Sequence, residues 1–252
     1  MQHKTVIGNC ELYLGDCLEV LPQIQSAHHV ITDPPYEAEA HTKARRLLGK
    51  VDARVGKARK VENLAIDFAQ MDETLRAEVS AHIMRISQGW SVVFCQVEAV
   101  HLWMSTLAAA KYKRTGVWIK PDGAPQFTGD RPGMGYESLI IHWHGEGRSK
   151  WNGGGKHGVF THPKSDPGYG HGGLQNEHPT KKPLRLMNEL VRLFSNPNEV
   201  ILDPFMGSGT TGVACIKTGR RFIGIEKDPK YFTAACERIQ NAYNQPDMFI
   251  AS

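Results

Sequence analysis

Residues 200–212 carry the strongest constraint on the fold. Val200-Ile201-Leu202-Asp203 is an apolar run short enough for a buried strand, Pro204 to Gly209 is a glycine-bearing turn, and Thr210 to Lys217 reads as a helix closed by Gly219. Gly207-Ser208-Gly209-Thr210-Thr211-Gly212 spells GxGxxG, and the next strand, Phe222 to Glu226, ends in an acid. Strand, glycine turn and helix in this order are the signature of a doubly wound α/β sheet that binds a nucleoside ligand. The glycines let the ligand approach the backbone, and the carboxylate at the tip of the second strand takes ribose hydroxyls. A P-loop is excluded, because no Lys-Ser or Lys-Thr follows the glycines.

Asp203 refines the ligand. An anion pointing into the loop repels a pyrophosphate and favours a cationic cofactor carrying an ammonium and a sulfonium. A nicotinamide dinucleotide is the alternative.

A second stretch, Thr32-Asp33-Pro34-Pro35-Tyr36, closes the apolar strand that begins at His28. Two prolines fix φ and remove two N–H donors, so the chain leaves the strand in a set direction. A carboxylate and free backbone carbonyls then stand beside an aromatic ring, a combination able to hold a flat ring and accept hydrogen bonds from its NH2 group. Taken alone, the stretch reads equally as a surface turn.

At 252 residues, with 40% hydrophobic and 22% charged residues, the chain is expected to form one folded domain over 1–252. No run reaches membrane-span length and no secretory leader is legible, so a cytoplasmic protein is expected. The five cysteines lack CxxC spacing, which argues against disulfides or a zinc ribbon.

Further strands are expected at Leu12–Leu14, Ser91–Cys95, Thr115–Lys120 and Glu137–Trp143, the last two as a long hairpin. Helices are expected from Cys17 to Gln25, from Asp72 to a C-cap at Gly89, from Glu98 to Ala110, from Pro179 to Asn196, and after the Asp228-Pro229 cap. Two segments stand apart. Between Glu37 and Lys60 there are eight Lys or Arg against three acids, so 37–62 reads as a basic loop, either solvated or gripping a phosphate backbone through Lys43, Arg45, Arg46 and Lys50. Residues 145–179 lose periodicity and are rich in Gly, His and Lys, with Trp151 and Lys156 as polar or stacking candidates. The histidines there lack HExxH spacing and cysteine partners, so no metal is expected.

Together these motifs resemble the N4/N6 DNA amino-methyltransferases of the type whose catalytic motif precedes the cofactor motif. Asp33-Pro34-Pro35-Tyr36 is similar to the family's D/S/N-P-P-Y/F/W element, and Asp203-Pro204-Phe205-Met206-Gly207-Ser208-Gly209-Thr210-Thr211 to its DPFxGSGTT loop. His178-Pro179-Thr180-Lys181-Lys182-Pro183 resembles the HPTxKP box, Ile225-Glu226 the ribose-binding acid, and Asp16 the acid that receives adenine.

The resemblance implies a circularly permuted, seven-stranded, mostly parallel Rossmann-like methyltransferase fold with a loop-rich insertion at 145–179 that reads the target. It implies S-adenosyl-L-methionine as cofactor, held by Asp16, Cys17, Asp33, Thr180, Lys182, Asp203, Pro204, Phe205, Gly207, Ser208, Gly209, Thr210, Thr211, Glu226 and Lys227. It implies catalysis by Asp33, Pro34, Pro35 and Tyr36 on a base flipped from double-stranded DNA, with Arg131 among the DNA contacts. N6 of adenine is the expected acceptor, since Ser in place of Asp33 is the commoner cytosine form. N4 of cytosine remains the alternative within the class, and a non-catalytic DNA-binding regulator the alternative outside it. A homodimer and a cognate restriction endonuclease are left open as partners.

Overall fold

The computed structural model describes residues 3–35, 71–123, 125–126, 129–164 and 181–245. Tyr36, the basic stretch with Lys43, Arg45, Arg46 and Lys50, and Thr180 lie outside them. The described strands are β1 (His3–Ile7), β2 (Cys10–Leu14), β3 (His29–Thr32), β4 (Trp90–Cys95), β5 (Lys111–Ile119), β6 (Tyr136–Trp143), β7 (Val159–Thr161), β8 (Val200–Asp203) and β9 (Arg221–Glu226). The described α-helices are α1 (Cys17–Val20), α2 (Glu73–Ile86), α3 (Val100–Thr106), α4 (Leu184–Phe194), α5 (Thr210–Lys217) and α6 (Pro229–Asn244).

All nine strands join one sheet in the order β1-β2-β9-β8-β3-β4-β6-β5-β7. From β2 to β4 the pairings are parallel; β1 and β6 run against them. The middle strands are apolar throughout because both faces are covered. In β3, β4 and β8 every residue is buried. Alternate side chains feed two cores: Ile31, Val92, Phe94 and Ile201 pack with α4, α5 and α6, whereas Val30, Val93, Cys95 and Leu202 pack with α1, α2 and α3.

The doubly wound α/β sheet is as expected, with nine strands where seven were read. The two additions are its outermost strands. In β1 only Ile7 is buried, and β7 is three residues of a Gly- and His-rich segment, so neither carries the apolar run of a central strand. Helix ends also shift. Helix α2 stops at Ile86 with Ser87 as its cap, and Gly89 instead lies where a Cβ would meet the His29 ring at 2.6 Å. Helix α4 begins after Pro183, because Pro179 and Pro183 in sequence favour extended backbone before each ring. No helix among the described residues is long and apolar enough to cross a membrane.

Candidate active site

Adjacent strands β3 and β8 deliver Asp33 and Asp203 to the same carboxyl edge of the sheet, where ligands bind in open α/β folds. Asp203 is 2% exposed. Its Oδ1 accepts from the Thr32 hydroxyl at 2.7 Å and the Phe205 N–H at 3.1 Å, and its Oδ2 from the Thr211 hydroxyl at 2.7 Å. Burial pushes this carboxyl up to about 6, against the pull of those donors. Asp203 therefore holds the turn together from inside. Asp203 points into the loop, and both of its oxygens take donors of the protein there.

The turn itself requires its glycines. Gly207 and Gly209 have φ of 52° and 78°, left-handed values that side chains disfavour. The Gly207 N–H donates to Glu226 Oε2 at 2.9 Å, and the Asp228 N–H to Glu226 Oε1 at 2.8 Å, so the tip of β9 is tied to the turn. Burial raises the Glu226 carboxyl, with those backbone donors opposing. Arg238 of α6 donates to the Ser208 hydroxyl at 2.8 Å, fixing the outer side. Thr210 and Thr211 are buried, and Pro204 and Phe205 form the wall after β8, Phe205 packing on the α1–α3 core.

Beyond β9, the Gly15 N–H donates to the Glu226 carbonyl at 3.0 Å, and exposed Asp16 caps α1 by accepting from the Leu18 N–H at 2.9 Å. Lys227 is exposed beside it. Cys17, expected at the cofactor, is 6% exposed in the core, where burial pushes its thiol up to about 12. Asp16, Glu226, Asp203 and Asp33 thus follow one another along strands β2, β9, β8 and β3. Three strand spacings make this row about 14 Å long.

Lys182 is placed differently from its expected role. Its ammonium, 6% exposed, lies 2.5 Å from Asp33 Oδ2 and 3.1 Å from Glu137 Oε2, with the Phe94 ring centroid 5.0 Å away. Lys120 donates to Glu137 Oε1 and lies 4.7 Å from the Trp118 ring centroid. Asp33, Lys182, Glu137 and Lys120 form a chain of alternating charge. Asp33 keeps 27% of its side chain exposed; the surrounding protein raises its carboxyl and the Lys182 ammonium opposes the rise. Glu137 is lowered, because Lys182 and Lys120 outweigh its burial. Neither Glu137 nor Lys120 was expected here. An acid heading the otherwise apolar run Ser138–Trp143 was the available signal.

Of the segment expected to read DNA, only 145–164 is among the described residues. The Trp151 ring packs 5.0 Å from Phe194 at the end of α4, and its Nε1 donates to the Gly154 carbonyl. Phe194 in turn meets Trp90, the first residue of β4. Trp151 therefore sits near the amino edge, about 16 Å of strand from the Asp33 edge, and Lys156 pairs with Glu189 of α4 at 2.8 Å. Both therefore have partners within the protein, on α4 and at its end. Exposed Arg131, beside Asp130, is in the β5–β6 turn at the Asp33 edge. Among the described residues no cluster of three or more His, Cys, Asp or Glu could hold a metal ion.

The N6_N4_Mtase family model, described as DNA methylase, matches residues 27–237. The chain belongs to this DNA methylase family. The methylase is 25% identical over 258 residues to the type II methyltransferase M.HinfI of Haemophilus influenzae, covering 92% of this chain and 69% of that protein. It is 31% identical over 138 residues to the type II methyltransferase M.XycI of Xanthomonas campestris pv. cyanopsidis, but spans only 43% of that relative's length and 49% of its own. The crystal structure of an M1.HpyAVI–SAM complex superposes with a TM-score of 0.65 at 26% identity, covering 91% of this chain and 98% of that one. The PvuII DNA methyltransferase, cytosine-N4-specific, shares the fold at 18% identity with a TM-score of 0.69, covering 95% and 93%.

Proposed function

We propose that this methylase transfers a methyl group from S-adenosyl-L-methionine to N6 of adenine in double-stranded DNA. The observation that carries the reading is the adjacency of Asp33 and the Asp203 glycine turn, joined by the Thr32–Asp203 hydrogen bond. An amine acceptor and a nucleoside-binding turn on neighbouring strands bring acceptor and donor together.

The donor set fits this cofactor. The carboxylates of Glu226 and Asp16 suit a ribose diol and an adenine amine, and no Lys or Arg lies within residues 203–211 to meet a pyrophosphate. Asp16, Glu226 and the Gly207–Gly209 turn would hold it. When bound, S-adenosylmethionine supplies a methyl group on positively charged sulfur, which keeps the bonding electrons as the acceptor nitrogen takes the carbon.

The chain's own residues prepare the nitrogen. Its lone pair is delocalised into the base, and hydrogen bonds from NH2 to the Asp33 carboxylate and the Pro34 carbonyl localise it. Asp33 is then placed to take the proton that the methylated nitrogen sheds. Its raised affinity for protons suits that step. Tyr36, outside the described residues, supplies the aromatic ring proposed for stacking. Flipping the base costs a few kcal/mol, and one stacking contact of about 1–3 kcal/mol offsets much of it.

Adenine is chosen because position 33 is Asp, a charged acceptor, rather than Ser. Methylated DNA hydrolysed to nucleosides and measured by mass spectrometry should contain N6-methyladenine. N4-methylcytosine as the main product would change the base and keep the mechanism. Formation of 5-methylcytosine would overturn both, since carbon methylation needs a cysteine nucleophile that residues 33–36 lack.

A further inference from the structure

Burying ion pairs is a poor way to stabilise a sheet edge. Two charges removed from water cost several kcal/mol each, and apolar side chains of similar volume usually do as well or better. Yet Lys182 and Glu137, each 6% exposed, face each other at 3.1 Å beside Phe94 and Trp118, where β4 and β5 end and the antiparallel β6 begins. The inner end of this chain is Asp33 and the outer end is Lys120.

We propose that Glu137 is a positioning residue for the Asp33 carboxylate, acting through Lys182, with Lys120 setting how firmly Glu137 holds it. This rests on Asp33 being the amine acceptor of the methyltransferase reading. Lys182 donates to Asp33 Oδ2 and forms an ion pair with Glu137 Oε2 at 3.1 Å, so a carboxylate on each side draws its ammonium to one place. The pinned ammonium holds Asp33 Oδ2 at 2.5 Å, and an incoming amine meets a carboxylate whose plane is already fixed. Without Glu137 the Lys182 charge belongs to Asp33 alone, and the carboxylate becomes a weaker proton acceptor.

The charged groups that face Asp33 are Lys182 from the segment before α4, Glu137 from β6, Lys120 after β5 and Asp203 from β8. Glu137 raises the Asp33 carboxyl and Lys120 lowers it. Opposite signs give the test. Carboxyl carbon NMR of Asp-labelled protein follows the Asp33 titration without cofactor, with Asp33→Asn assigning the signal, and the acid limb of kcat/KM reads the same group during turnover.

Glu137→Gln should move both to lower pH and Lys120→Met both to higher pH, each by about half a unit or more, with kcat falling in Glu137→Gln at unchanged cofactor Kd. Thermal melting separates these shifts from lost folding, and if Glu137→Gln does not fold, Lys120→Met alone decides. Titrations that superimpose on the wild type, or shifts of one sign in both variants, overturn the proposal. A wild type that titrates as described but transfers no methyl group would overturn the functional reading instead.

Discussion

The Thr32 hydroxyl donates to Asp203 Oδ1 across 2.7 Å, joining the last residue of β3 to the last residue of β8, 171 positions away in sequence. The motifs proposed for catalysis and for the cofactor, remote along the chain, meet through one buried hydrogen bond. The bond also fixes the direction in which Asp33 leaves its strand, because the preceding residue is anchored.

Asp203 has a measurable pH signature. Its folded value of about 6 lies above the ordinary 3.8, so the folded state binds its proton more tightly. The contribution is most favourable below the unfolded value and is lost as pH rises through the folded one, about 3 kcal/mol in all. The difference in urea-unfolding stability between the wild type and Asp203→Asn should therefore fall by about that amount between pH 4 and pH 7. Parallel curves would show that Asp203 does not titrate this way. Thr32→Val, which strips one donor from the buried carboxylate, should cost about 1–3 kcal/mol at neutral pH.

Asp33→Ala separates binding from chemistry. Asp33 borders the row of acids proposed for the cofactor but is joined to Lys182, so its loss should abolish methyl transfer and leave S-adenosylmethionine affinity close to that of the wild type. Calorimetry and a tritiated-methyl assay read the two. Normal turnover in this variant would remove the central role of Asp33.

Gly212 tests how helix packing holds the turn. A Cβ there would meet Ile239 Cδ1 at 2.5 Å and the Phe222 ring at 2.8 Å, so α5 must move away from α6 and β9. Gly212→Ala should cost about 1–3 kcal/mol and weaken cofactor binding, since Thr211 and its bond to Asp203 move with the helix. Ile239→Val removes the Cδ1 atom and should return part of the stability in the double variant. Strict additivity of the two changes would mean the contact is not the cause.

The sequence exposes those parts of the site that follow a local rule. Residues 200–203 and 91–95 read as strands because both faces are buried, and GxGxxG reads as a turn because only glycine accepts the φ values of Gly207 and Gly209. The Lys182–Glu137 pair obeys no local rule. Lys182 precedes a helix and Glu137 heads a strand 45 residues earlier, and only the crossover of α4 onto the sheet brings them together. Edge strands β1 and β7 escaped for a related reason: one solvated side and few residues leave no apolar run to detect. In 145–179 the irregular sequence suggested a loop that reads the target; of the part described, 145–164, Asn152 donates to the carbonyls of Arg192 and Ser195 at the end of α4, a fastening that no local pattern announces.

That fastening gives the last prediction, on which side of the molecule DNA lies. Trp151 packs against Phe194 at the amino edge, so Trp151→Ala should lower stability by up to about 3 kcal/mol, while the folded variant binds DNA as the wild type does. Arg131 is exposed in the β5–β6 turn at the Asp33 edge, and removing an exposed charge there should change stability by less than about 0.5 kcal/mol. If the Asp33 edge faces the duplex, Arg131→Ala weakens DNA binding on all sequences and reduces the slope of log affinity against log salt by about 0.9, the loss of one phosphate contact. Fluorescence anisotropy over a salt series measures both variants. Weaker DNA binding in Trp151→Ala with an unchanged slope in Arg131→Ala would place the duplex on the opposite edge, away from the row of acids that ends at Asp33.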